Sequence, residues 1–183
     1  MVFLAIQVNK VMSEKVITIF GTSRAKAGDA TYETAYRVGK VLAEAGFVVA
    51  NGGYGGTMEG ASKGAAEGGG ETIGVTCSAF RGKANRYVSR EIVTGSLDER
   101  LDTLIKLGRA YIVLPGGTGT LLELAKVWEL KNKGFLEGDK PIILVGRFWK
   151  ALIDIVATDD ARSSDFISQV DEPEQIKELI TRI

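Results

Sequence analysis

Residues 110–123 commit this chain to one kind of local architecture. Ala110-Tyr111-Ile112-Val113-Leu114 is an unbroken apolar run, Pro115-Gly116-Gly117-Thr118-Gly119 is a glycine-rich turn, and a helical pattern continues from Thr120 to about Lys133. A strand apolar at every position must be covered on both faces. That is the condition of a parallel sheet flanked by helices, whereas an antiparallel sheet with one wet face alternates apolar and polar residues.

The same alternation recurs along the chain. Strand-like runs at Val16–Phe20, Phe47–Ala50, Thr72–Thr76, Ile142–Val145 and Phe166–Val170 are separated by helical patterns, with Glu91–Thr94 a further candidate strand. The helices are expected at Thr31–Ala45, Thr57–Glu67, Ser96–Gly108, Trp149–Thr158 and Pro173–Ile183. This order predicts an α/β fold, a Rossmann-like doubly wound parallel sheet flanked by helices in a single domain. A chain of 183 residues is long enough for one substantial core.

The domain is read as residues 15–183, and residues 1–14 as an N-terminal extension or an added strand. The apolar stretch Met1–Val8 stops at Asn9 and Lys10, too short to span a bilayer and without a basic leader, so no signal peptide or membrane segment is expected.

Charge and residue usage narrow the chemistry. With 23 basic and 23 acidic residues the formal net charge is +0. Nothing in that balance attracts nucleic acid or an anionic membrane, which favours a small-molecule partner. Cys77 is the only cysteine, so no internal disulfide can form, as expected of a cytoplasmic protein. The absence of histidine excludes Ser-His and Cys-His catalysis and a histidine-ligated metal. Acid–base work falls to carboxylates, Lys, Tyr, Arg or water; no metal and no cofactor is expected.

In parallel sheets ligands bind at the carboxyl ends of the strands. Three glycine-containing loops fall there: Gly21-Thr22-Ser23, Asn51-Gly52-Gly53-Tyr54-Gly55-Gly56, and Gly116–Thr120. A glycine-rich turn opening a helix offers free backbone N–H groups to a phosphate. Gly116, Gly117, Thr118, Gly119 and Thr120 are therefore the expected phosphate cradle, with Gly21, Ser23, Gly52 and Gly53 contributed by the other loops. None of the loops carries the G-x-G-x-x-G fingerprint with a downstream acid, or the P-loop lysine.

The string Pro115-Gly-Gly-x-Gly-Thr-x-x-Glu123 resembles the signature of the LONELY GUY family, the cytokinin riboside 5′-monophosphate phosphoribohydrolases. Gly52–Glu59 is similar to the family's second glycine motif, and Asp98-Glu99-Arg100 to the segment bearing its catalytic arginine. The resemblance spans most of the chain from about Val16. It implies a homodimer that hydrolyses the N-glycosidic bond of a nucleoside 5′-monophosphate, with Glu123 and Arg100 catalytic. Related Rossmann-like proteins carry nucleotides or the molybdenum cofactor without turnover, the alternative function. A lysine decarboxylase would need a pyridoxal-phosphate lysine and a pyridinium partner, which no local pattern supplies.

Glu123 has a second reading. Placed in the first helical turn, Thr120-Leu121-Leu122-Glu123 has the spacing of a capping box, in which the glutamate only satisfies the helix's own N–H. Ser96-Leu97-Asp98-Glu99 has the same spacing, and there Glu99 is read as structural. The family's Arg-Lys pair is Arg100-Leu101 here. The helix after the glycine turn is apolar nearly all round through Leu121, Leu122, Leu124, Ala125, Val127 and Trp128, which points to burial against a second subunit. Arg81, Lys83, Arg86 and Arg90 form a basic loop, either a solvated surface or a lid over the phosphate. Cys77 is read as a small buried hydrophobe.

Overall fold

Seven parallel strands form one sheet in the computed structural model, which describes residues 15–181. They are β1 (Val16–Phe20), β2 (Val48–Asn51), β3 (Thr72–Cys77), β4 (Arg90–Thr94), β5 (Ala110–Val113), β6 (Ile142–Val145) and β7 (Ile167–Val170). The helices are α1 (Ala30–Glu44), α2 (Thr57–Glu67), α3 (Leu97–Leu107), α4 (Thr118–Asn132), α5 (Lys150–Ala157) and α6 (Ile176–Ile180). The extension at residues 1–14 lies outside the described residues.

Spatial order is β4-β3-β2-β1-β5-β6-β7. The chain winds outward from β1 through β2 to β4, then returns to β5 on the other side of β1. This reversal opens a crevice at the carboxyl ends of β1 and β5, where the helices leave in opposite directions.

Strand residues alternate between two buried faces. Ile17 and Ile19 point into a core with Ala35, Val38 and Leu42 of α1, Ala61 and Ala65 of α2, and Ile176 and Ile180 of α6. Val16 and Phe20 point the other way, among Leu101 and Leu104 of α3 and Leu124, Val127 and Trp128 of α4. Burying each large apolar side chain contributes roughly 1.5–3 kcal/mol, which is why neither face tolerates a polar stripe. The buried Thr18 hydroxyl donates to the Leu104 carbonyl, and Tyr111 donates to Ile105 while its ring stacks on Phe20. These bonds fix α3 on the sheet.

Two boundaries differ from the sequence reading by more than one residue. Helix α4 begins at Thr118, with extended Gly117 as its N-cap, and not at Thr120. Glycine is a poor helix former in the interior, but in the first turn the N–H groups have no intrahelical partner anyway, so the penalty is small. The C-terminal segment is a 3₁₀ turn, Pro173–Gln175, followed by the short α6. Ile176 and Ile180 are buried there, while Leu179 is 37% exposed and Ile183 lies outside the described residues.

Candidate functional site

The crevice is a cleft of about 760 Å³. Its floor is the loop after β5, Pro115–Thr120, and one wall is the loop after β1, Gly21–Arg24. Backbone bonds hold the three loops together. Thr22 N–H donates to the Pro115 carbonyl, and both the N–H and the hydroxyl of Thr57 donate to the Thr22 carbonyl. Gly56, with φ +71°, lets the third loop approach: a Cβ there would lie 2.3 Å from the Thr22 carbonyl oxygen.

Gly116, Gly117, Thr118, Gly119 and Thr120 all line the cleft, at the N-terminus of α4. The loop lies tightly against the helix. A Cβ on Gly116 would come within 2.2 Å of Thr120 Oγ1. Gly21 and Ser23 line the cleft as well, whereas Gly52 and Gly53 stand behind its wall. The Gly53 N–H donates to buried Asn51, whose amide in turn donates to the Met58 carbonyl and the Ser62 hydroxyl.

Glu123 and Arg100 reach the cleft from two different helices, 23 residues apart in sequence. Arg100 Nη1 lies 3.8 Å from Glu123 Oε1, with side-chain exposures of 9% and 14%. Because α4 starts at Thr118, Glu123 sits in its second turn, too deep to cap; the helix N-terminus has no side-chain cap at all. The capping-box reading of Thr120–Glu123 is therefore replaced. At Ser96 the N-cap half of the box is present, the Glu99 N–H donating to Ser96 Oγ, while the Glu99 carboxylate accepts from the N–H of Gly95 and not of Ser96, a structural role for Glu99 all the same.

Burial pushes the Glu123 carboxyl up to about 7, an effect the nearby Arg100 guanidinium only partly offsets. The group is thus poised to exchange a proton near neutrality. Arg100 is fixed from several directions. Its Nε donates to the Val75 carbonyl, and its Cζ lies 5.7 Å from the Tyr54 ring centre and 5.9 Å from that of Phe80. Tyr54 is itself anchored, its hydroxyl accepting from the Cys77 N–H and donating to the Cys77 carbonyl. Leu101, next to Arg100 in sequence, faces the hydrophobic core and does not line the cleft.

Of the basic loop, Arg81 lines the cleft. Arg86 folds onto Tyr87, and Arg90 pairs with Glu71. Cys77 is buried at the end of β3. Sequence reasoning missed Arg24, Met58, Phe80 and Phe148 as cleft residues. Phe80 and Phe148 each follow the end of a strand by three residues, which is the positional signal that could have found them.

Fold and cleft define a Rossmann-like protein with a glycine turn and helix N-terminus beside a buried carboxylate–guanidinium pair. The chain belongs to the SLOG cluster4 family, which it matches over residues 14–177. It is 37% identical over 117 residues to a cytokinin riboside 5′-monophosphate phosphoribohydrolase of Mycobacterium tuberculosis, covering 62% of this chain and 61% of the relative. A protein of Archaeoglobus fulgidus is 33% identical over 131 residues, covering 68% of this chain and 86% of its own length. Among solved structures, the molybdenum cofactor binding protein of Rippkaea orientalis aligns with TM-score 0.76 at 29% identity, covering 92% of this chain and 96% of that one. The chain thus spans about three-fifths of the mycobacterial phosphoribohydrolase and nearly all of the cofactor-binding protein. No described helix is long and apolar enough to cross a membrane.

Proposed function

We propose that this protein hydrolyses the N-glycosidic bond of a nucleoside 5′-monophosphate, of the AMP or cytokinin riboside monophosphate type, releasing free base and ribose 5-phosphate. The observation that carries the reading is Glu123: a buried carboxylate in the cleft at the head of α4, 3.8 Å from Arg100. The 5′-phosphate lies against the amides of Gly116, Gly117, Thr118 and Gly119 and the Thr120 hydroxyl, at the positive end of α4. Gly21 and Ser23 close the other side, with Gly52 and Gly53 supporting from behind.

Breaking the bond between C1′ and the base nitrogen builds oxocarbenium-like positive charge on the ribose. Ionised Glu123 stabilises that charge and accepts a proton from the attacking water as its oxygen bonds to C1′. The electron pair of the broken bond leaves with the base nitrogen, which takes up the proton that Glu123 accepted from the water, returning Glu123 to its ionised form. Arg100, a permanent cation, orients Glu123 and contacts the base side of the substrate; it is a poor proton donor. The similarity to a phosphoribohydrolase supports this chemistry.

A second reading is favoured by the near-complete alignment with a molybdenum cofactor binding protein. On that reading the same cleft holds a nucleotide or the cofactor without turnover. Incubation with AMP separates the two: adenine and ribose 5-phosphate, lost on Glu123→Ala, support hydrolysis, whereas tight binding without products supports the carrier.

We propose that the protein works in the cytoplasm as a homodimer. Leu121 and Leu122 on α4 remain 36% and 44% exposed, and Ala125 beside them is also uncovered, a face suited to a second copy.

A further inference from the structure

Two phenylalanines line the cleft from loops that follow different strands. Phe80 follows β3 by three residues and is 42% exposed; Phe148 follows β6 by three residues and is 57% exposed. The strands between them run in the order β3-β2-β1-β5-β6. Four inter-strand steps set the carboxyl ends of β3 and β6 about 19 Å apart. Between them lie the α4 N-terminus and the loop after β1.

Both rings are held in place. Phe80 is set by a turn in which its N–H donates to the Cys77 carbonyl, and its ring meets Tyr54 at 6.1 Å. Phe148 meets the edge of Trp149 at 4.9 Å, and Trp149 is buried with its indole N–H donating to the Leu114 carbonyl. An exposed phenylalanine fixed by a buried tryptophan contributes little to the core. It does offer a flat apolar face to the cleft.

A mononucleotide with its phosphate on α4 and its base toward Arg100 covers the Phe80 end alone. We infer that the cleft takes a dinucleotide-type ligand: a nucleotide joined through a pyrophosphate to a second ring-bearing nucleoside. The first base stacks at Phe80, the second at Phe148, and the pyrophosphate bridges the α4 N-terminus. Arg24 and Arg81, both exposed on the cleft wall, supply charge for the second phosphate. The G-x-G-x-x-G fingerprint is not required, because the phosphate loop here follows β5 and not β1. This inference rests on the phosphate placement in the hydrolase reading, but not on turnover.

The test compares AMP with diadenosine 5′,5′-pyrophosphate by titration calorimetry, in the unaltered chain and in Glu123→Gln, which keeps both ligands intact. The expected result is dinucleotide affinity at least about tenfold above that of AMP, the scale of one base–aromatic stack. Phe148→Ala should bring the ratio of the two affinities close to one, and Phe80→Ala should weaken both ligands alike. Equal affinities in the unaltered chain overturn the inference. So does a preference that survives Phe148→Ala, or a Phe148→Ala change in sedimentation with no change in the ratio, which assigns that ring to a subunit contact. Adenine release from AMP is followed on the same preparations. Turnover with equal affinities overturns the dinucleotide inference alone, and a Phe148-dependent preference without turnover overturns the hydrolase reading alone.

Discussion

The guanidinium of Arg100 occupies the space that a side chain at Gly52 would fill: a Cβ on Gly52 would lie 1.7 Å from Arg100 Nη2 and 2.7 Å from Met58 Sδ. Residue 52 therefore shapes the site from behind the cleft. Gly52→Ala is expected to push Arg100 off its bond to Val75 and away from Glu123. Displacement of about 1 Å at such a group costs on the order of 10²-fold in kcat/KM. Adenine release should fall on that scale while circular dichroism stays native; unchanged kinetics would show that Arg100 has room to move without consequence.

Removing the carboxylate tests the chemistry directly. General-base and electrostatic roles of this kind are each worth about 10²–10⁴-fold. Glu123→Gln keeps the shape and removes the charge, so turnover of AMP should drop by at least 10²-fold, with binding of AMP retained. Product formation at the unaltered rate would remove Glu123 from the mechanism.

The elevated Glu123 carboxyl sets the acid limb of the activity. Only the ionised form stabilises positive charge on the ribose, so kcat/KM should rise with pH and level off above about 7. The Gln variant's residual rate should lack that limb. A limb near the ordinary value of 4.5 would mean that the carboxyl is better solvated than its burial implies.

Stability should show the same titration with the opposite consequence. Glu123 binds its proton more tightly in the folded chain, so its contribution is fully present below about 4.5 and is lost as pH rises to about 7. The shift corresponds to at most about 3 kcal/mol. Glu123→Gln, neutral at every pH, should gain in Tm relative to the unaltered chain across this window, by several degrees at pH 8. A Tm difference flat with pH in differential scanning calorimetry would refute it.

Leu122 tests assembly. A charge on the exposed face of α4 cannot be buried without a partner. Leu122→Asp should convert a dimer to a monomer in sedimentation velocity, with the fold intact. A monomeric unaltered chain would dispose of the proposed interface.

Much of the fold is legible in the sequence because parallel strands here are unbroken apolar runs. Val16–Phe20 and Ile142–Val145 are copied from pattern to structure without change. Boundaries at glycines are less legible. Gly119 inside a helix runs against local propensity, but in the first turn the penalty is small, and α4 starts at Thr118 with extended Gly117 as its N-cap. That shift of two residues moves Glu123 from a capping position into the second turn.

The sequence by itself determined the class of fold, the glycine turn at the head of α4, and the identities of Glu123 and Arg100 as candidates. The fold class and the glycine turn follow from local periodicity and residue type, whereas Glu123 and Arg100 became candidates through the resemblance of their motifs to the LONELY GUY family. Only the tertiary structure decided that the two side chains meet, that Gly52 clears the space for Arg100, and that Leu101 faces the core. It also decided that Phe80 and Phe148, from the loops after β3 and β6, line one cleft. Each of these depends on the order of strands across the sheet. Burial raises the Glu123 carboxyl for the same reason: desolvation is a property of everything packed around a group, not of the residues beside it in the chain.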